Sequence, residues 1–245
     1  MTYPNVQLAR FIHRPNRFIA ECRLQATGEM VTVHVKNTGR CKELFFPEVE
    51  VALSYQPSPK RKTDYDLISV KKGDAWFNID SQVPNALASQ AIADGTIILP
   101  GLKGEIVSVK REKRFAKSQF DILVEIDTGT QAFVEVKGMT LENHRIGAFP
   151  DAPTLRGLKH VTELIQAMEE GYQSYVLFVV QFEQVDAATI HTVMQPALAE
   201  TILLGQKQGL SVIAYNCSVT PATIEIEHQV PFDVRKTFED PNQER

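Results

Sequence analysis

Glu135 and Lys137 stand two residues apart in the run Phe133-Val134-Glu135-Val136-Lys137. In an extended strand side chains alternate between faces. Phe133, Glu135 and Lys137 therefore share one face, with carboxylate and ammonium about 7 Å apart along it, while Val134 and Val136 take the other. Upstream, the same alternation puts Asp121, Leu123, Glu125 and Asp127 on a common face. The turn Asp127-Thr128-Gly129-Thr130 is short, and antiparallel pairing through it brings Asp121 near Glu135. Paired carboxylates can hold a hard divalent cation such as Mg²⁺ or Mn²⁺, which stabilises charge on a phosphoryl group, and a nearby lysine can orient or help deprotonate an attacking water. The competing reading is an ordinary half-exposed hairpin with a cross-strand ion pair, a contact contributing at most about 1 kcal/mol.

A helix expected at 154–170 and stopped by Gly171 follows, with Leu158, Val161, Leu164, Ile165 and Met168 as its apolar side. At 100° per residue, Arg156, Lys159, His160 and Glu163 fall within an arc of about 100° elsewhere on the same helix. A helix histidine beside acidic groups is more often a hydrogen-bonding partner than a ligand or base. The three cysteines, Cys22, Cys41 and Cys217, form no C-x-x-C pair and no cluster with histidine, so free thiols are expected rather than disulfides or a zinc site.

The elements that must carry these residues fall into two groups. Strands at 18–24, 30–36 (with Val31, Val33 and Val35 on one face), 49–55 and 67–71, separated by close turns, predict a small β-barrel over residues 1–83. The prolines of 56–64 exclude a helix there, which leaves Lys60, Arg61 and Lys62 as a basic loop tip. Residues 84–245 predict an α/β domain: a short helix at 86–93 with Asn85 as its cap, a basic strand at 105–113, the hairpin 120–137, a loop at 138–153, the helix above, an apolar strand at 175–182, a helix at 196–209 and a strand at 210–215.

Length and charge fit this division. The chain has 245 residues, 43% of them hydrophobic and 23% charged, enough for a core and two modest domains. Its net charge of -4 conceals an asymmetry: residues 1–120 hold 18 Lys and Arg against 12 Asp and Glu, whereas residues 121–245 hold 8 against 18. A basic half suits a polyanionic partner despite the acidic total, and Lys110, Arg111, Lys113, Arg114 and Lys117 fall within eight residues. No secretory leader pattern is visible, and the longest apolar run is too short to span a bilayer, so a cytoplasmic protein without membrane association is expected.

The order Asp121, Glu135-x-Lys137, helix, apolar strand resembles the PD-(D/E)xK nuclease-like fold. Asn37-Thr38-Gly39-Arg40, the apolar stretch 176–181 and Phe149-Pro150-Asp151-Ala152-Pro153-Thr154-Leu155-Arg156-Gly157-Leu158-Lys159-His160 make the resemblance one to the sugar fermentation stimulation protein family, SfsA, over roughly residues 11–227. The resemblance implies an N-terminal OB-fold barrel and a C-terminal PD-(D/E)xK nuclease-like α/β domain. It also implies DNA binding without marked sequence preference and a link to the regulation of sugar use, maltose above all. Carried over by position, it makes Asp121 and Glu135 metal ligands for Mg²⁺ or Mn²⁺ and Lys137 the catalytic-type lysine, with Arg156, Lys159, His160 and Glu163 overlooking them. Apart from the resemblance, Asn37-Thr38-Gly39-Arg40 reads either as a plain turn or, from its position between barrel strands, as a segment that lets Arg40 and Lys42 face a ligand.

Two departures bear on catalysis. Segment 86–93 lacks the acidic residue that many nucleases of this fold supply from their first helix, and Leu155 stands where relatives often have Glu. Three functions follow for comparison: a DNA-binding protein, a Mg²⁺-dependent nuclease using Asp121, Glu135 and Lys137, and a protein-interaction module on an inactive nuclease scaffold.

Overall fold

The computed structural model describes residues 1–37, 39–115 and 118–243; Thr38, and Lys117 of the basic segment, lie outside the described residues. The valine alternation becomes strand β3, with Val33 and Val35 buried in a barrel core beside Leu53 and Leu67. The barrel strands are β1 (Val6–Asn16), β2 (Ile19–Leu24), β3 (Met30–Val35), β4 (Glu50–Tyr55) and β5 (Tyr65–Lys72). Strands β1 to β5 are hydrogen-bonded in the order β3-β2-β1-β4-β5, and a parallel β3–β5 pairing closes the ring. The short strand β6 (Ala75–Asn78) extends β5 toward the second domain.

That domain is built on a six-stranded sheet. After helix α1 (Val83–Ala93) come β7 (Ile106–Phe115), β8 (Ser118–Ile126), β9 (Gln131–Met139), β10 (Leu141–Asn143), β11 (Ile146–Phe149) and α2 (Leu155–Glu169). The chain ends with β12 (Gln173–Val180), β13 (Ala187–Ile190), α3 (Pro196–Gln208), β14 (Ser211–Val219) and β15 (Ile224–Val230). The sheet order is β15-β14-β12-β9-β8-β7, with β12 parallel to both neighbours. A strand covered on both faces has to be apolar throughout, as 175–180 are. The face of β9 that carries Val134 and Val136 packs with Leu87, Ala88 and Ile92 of α1, and its Phe133 face packs with Val161 and Leu164 of α2. Phe133 belongs to an aromatic cluster with Phe115, Phe120 and Tyr172 that fills the space under α2.

Three local expectations are corrected. Strand β1 lies where no strand was expected: Ala9 and Phe11 point inward, but Arg10, His13, Arg14 and Pro15 mask the pattern. Residues 138–153 are not simply a loop, because β9 continues to Met139 and β10, β11 and β13 form a separate small sheet. Helix α1 begins at Val83 with Pro84 in its first turn and no side-chain cap; Asn85 lies inside it and is engaged elsewhere.

Barrel and sheet share one apolar core running from Phe11 to Ile202. Phe77 stacks on Phe182 at 4.4 Å, Asn78 N donates to Gln181 O, and the buried Gln181 side chain donates to Asn78 Oδ1 and Asp80 O. Among the described residues, no helix is long and apolar enough to cross a membrane.

Candidate functional site

The β8–β9 ladder pairs Ile122 with Val134 and stops there. Just beyond, the Val136 backbone N–H donates to Asp121 Oδ2 at 2.8 Å, so a carboxylate replaces the ladder carbonyl at the point where the strands part. Asp121 Oδ1 accepts from Asn85 Nδ2 of α1 at 2.7 Å. Asn85 is thus a site residue that sequence reasoning assigned to a helix cap. Polar residues before a helix signal capping, and only the α1 docking angle aims this amide at the sheet.

Glu135 is 1% exposed. Its Oε1 is hydrogen-bonded by both Lys137 Nζ and His160 Nδ1, while its buried Oε2 has no partner among the described residues. Burial pushes the Glu135 carboxyl up, but the hydrogen bonds and charges of His160 and Lys137 outweigh it and leave the group below the usual carboxylate range. Asp121 moves the opposite way. Burial first, then the Glu135 charge, hold it above that range, against the opposing Val136 and Asn85 hydrogen bonds. One environment has thus separated two carboxylates into an easily ionised and a reluctantly ionised group.

The rest of the predicted helix face divides in two. His160 and Glu163 are buried toward the sheet, whereas Arg156 and Lys159 are exposed at its margin. Lys159 Nζ lies 3.7 Å from Glu163 Oε1, and Glu163 Oε2 is a second buried oxygen with no partner among the described residues. The buried side of the helix differs from the apolar stripe read from sequence: His160 is buried against Glu135 of the sheet, and Glu163 is buried beside it on the helix. Among the described residues, no three or more His, Cys, Asp or Glu side chains converge as a metal-holding group. The carboxylates that would hold a cation here are Asp121 and Glu135, which are near enough for the Glu135 charge to act on Asp121, and Glu135 Oε2 is unpartnered among the described residues. All-oxygen donors few in number suit Mg²⁺ or Ca²⁺, since Mg²⁺ in particular usually keeps several waters and takes only one or two carboxylates. The residues present fit such an ion.

Lys110, Arg111, Lys113 and Arg114 are exposed on β7, the edge strand, and none has an ion-pair partner among the described residues. Arg111 pairs in register with Ile122 and Lys113 with Phe120, so the two flank the level of Asp121. Arg40 and Lys42 are exposed on the segment after β3. The 60–62 tip is not uniform. Lys60 and Lys62 are exposed, but the Arg61 guanidinium turns back onto the buried Asp66, with NH1 3.1 Å from Oδ2, and His34 Nδ1 lies 3.1 Å from Asp66 Oδ1. Arg61→Ala is accordingly expected to destabilise the barrel by about 2 kcal/mol in a denaturant titration, whereas changing Lys60 and Lys62 to Ala leaves stability within about 0.5 kcal/mol. Equal stability of the two variants would make Arg61 a solvated charge.

Comparison with known proteins adds to this geometry. Residues 82–223 match the family described as the sugar fermentation stimulation protein RE domain, and residues 12–79 match the SfsA N-terminal OB domain. A sugar fermentation stimulation protein homolog from Enterococcus mundtii is 59% identical over 242 residues, covering 99% of this chain and 100% of the relative. Another, from Alkaliphilus oremlandii, is 43% identical over 242 residues, covering 96% and 100%. The structure of Pyrococcus furiosus SfsA in complex with Ca²⁺ has a TM-score of 0.81 at 24% identity, covering 96% of this chain and 98% of that one, a likeness of fold.

Proposed function

This chain belongs to the sugar fermentation stimulation protein family, and from that premise we propose that it binds DNA without marked sequence preference beside a divalent-cation site formed by Asp121 and Glu135. The observation that carries the reading is the placement of four unpaired basic side chains, Lys110, Arg111, Lys113 and Arg114, on the edge strand at the level of those carboxylates. A polyanion backbone lies along the basic edge, and a cation between carboxylates and phosphate removes the repulsion that a buried acidic pair would otherwise impose. Ca²⁺ in the Pyrococcus furiosus relative supports a hard cation here; Mg²⁺ or Mn²⁺ is the proposed physiological ion. The exposed basic side chains of the edge strand suit phosphate contacts, which position a duplex rather than specify its sequence. A regulatory role in sugar use, the sense of the family's name, would act through this binding.

Fluorescence anisotropy with several unrelated duplexes tests the reading. Their affinities should agree within a few-fold, and changing Arg111 and Lys113 together to Ala should reduce the slope of log K against log salt by about 1.8, at roughly 0.9 per phosphate lost. A strong preference for one duplex, or an unchanged slope, would count against it.

A second reading, phosphodiester hydrolysis, is favoured by one specific contact: Lys137 Nζ rests on Glu135 Oε1 with its side chain 17% exposed. A cation at the site would stabilise charge on the phosphoryl oxygens. Glu135 anchors the Lys137 ammonium and His160 fixes the Glu135 carboxylate, so the lysine is held in place beside the carboxylates, where it could orient a water.

A further inference from the structure

Two sequence motifs take no part in the carboxylate site, Asn37-Thr38-Gly39-Arg40 and Phe149-Pro150-Asp151, and the fold brings them into contact. The Arg40 backbone N–H donates to Asp151 Oδ2 at 2.9 Å, across the boundary between barrel and sheet. Gly39 is what lets the segments approach: a Cβ there would lie 2.3 Å from Asp151 Oδ2 and 2.8 Å from Asn37 Oδ1. Its requirement for glycine is one of space. Asn37 braces the turn from inside, with Oδ1 accepting from Gly39 N at 2.6 Å and Nδ2 donating to Ile79 O at 3.0 Å. Arg14 braces it from the barrel, donating to the carbonyls of Asn37 and Arg40 at 2.9 Å each. The Arg40 main chain is thus held at its N–H by one domain and at its C=O by the other, while its exposed guanidinium has no partner among the described residues.

Asp151 lies three residues before Thr154, the N-cap of α2, and α2 carries Arg156, Lys159 and the His160 that touches Glu135. Asn37 and Asp151 also line a cavity of about 110 Å³ together with Gly138, the chain neighbour of Lys137. The turn that carries Arg40 and the end of the carboxylate strand thus border one cavity, through Asn37 and Gly138. We propose that Asp151 is a positioning residue that sets Arg40 at the edge of the Asp121–Glu135 site, so that a single phosphate backbone is held by both domains at once. This rests on the DNA-binding reading above. A purely structural clamp would be redundant, because the Phe77–Phe182 stack and the Gln181 hydrogen bonds already join the domains. A charge held in its bound position loses less freedom on binding, which is the benefit of preorganisation.

A double-mutant cycle on the full chain tests the role, using a labelled duplex of arbitrary sequence, anisotropy at several salt concentrations and a thermal melt of each variant. Removing a carboxylate from a polyanion-binding surface should by charge alone tighten binding. If Asp151 acts through Arg40, Asp151→Ala instead weakens it by about tenfold at low salt and lowers the salt slope by about 0.9, as Arg40→Ala does, and the double variant is no weaker than either single. Asp151→Asn, which keeps an acceptor for the Arg40 N–H, restores most of the loss. Tighter binding by Asp151→Ala, or additive losses in the double variant, overturns the placement of Asp151 while leaving DNA binding intact. Wild-type protein that binds no duplex overturns the DNA-binding reading and this inference with it.

Discussion

Mg²⁺ or Mn²⁺ at about 100 times its dissociation constant is expected to stabilise the folded protein by about 2.7 kcal/mol, because an ion that binds only the native pair Asp121 and Glu135 shifts unfolding by mass action. For a chain of this size the melting temperature should rise by roughly 5–10 °C. Asp121→Ala and Glu135→Ala should each abolish the rise. Asp121→Ala also leaves the Val136 N–H and the Asn85 amide without their acceptor, so its metal-free melt drops, and the quantity to read is the difference with and without ion. Lys137→Ala should retain the rise: the ammonium is no ligand, and removing it makes the site more negative. An equal rise in all three variants would place the ion elsewhere.

The same experiment has a pH dependence whose sign follows from the carboxylates. Burial and the Glu135 charge raise the Asp121 carboxyl above its ordinary range, whereas His160 and Lys137 more than offset burial at Glu135. A bound ion requires Asp121 ionised, so protons compete with it as pH falls through the raised Asp121 value, before Glu135 begins to protonate. The stabilisation should therefore shrink on acidification, with Asp121 setting the upper edge of the loss. Shrinkage that begins only below the ordinary carboxylate range would assign the controlling proton to Glu135.

Alternation made the Glu135 strand and its partner legible before any coordinates, since period-two faces follow from backbone geometry alone, and the apolar run at 175–180 announced a strand buried on both sides. What could not be read was set by neighbours distant in sequence. Asn85 is a capping type by composition, yet it meets Asp121 because α1 packs on the Val134 and Val136 face. Arg156, Lys159, His160 and Glu163 share one arc on a helical wheel, yet only His160 and Glu163 are buried, and His160 is so because the opposing strand presents Glu135. Arg61 reads as a loop charge until Asp66, five residues on, turns out to point back at it. Strand β1 hides behind Arg10, His13 and Arg14, whose polarity a barrel exterior tolerates. In each case the local pattern was sound, and a contact between elements decided which side of it faced inward.

Lys137→Ala is expected to lose about 10²- to 10⁴-fold of any metal-dependent DNA cleavage, the usual worth of a group that positions or helps move a proton. It should keep both the metal-induced melt shift and duplex affinity, a separation that distinguishes a chemical role from a structural one. The ammonium lies against Glu135 Oε1 at the carboxylate site, and the partner it leaves behind still has His160. If the site hydrolyses DNA, helix α1 would limit the rate. It has no acidic residue in its first turn, and Asn85 brings to Asp121 a neutral amide where many nucleases of this fold bring a carboxylate. One negative charge fewer holds a cation less tightly and makes a second cation harder to retain, so turnover should be slow even when DNA and metal are both bound. Asn85→Asp restores that charge and should raise both the metal-induced melt shift and the cleavage rate, provided the site hydrolyses at all. Wild-type protein that binds metal and DNA but cuts no faster than Glu135→Ala, with Asn85→Asp no better, would remove hydrolysis and leave a DNA-binding protein whose carboxylates serve to bridge a cation to phosphate.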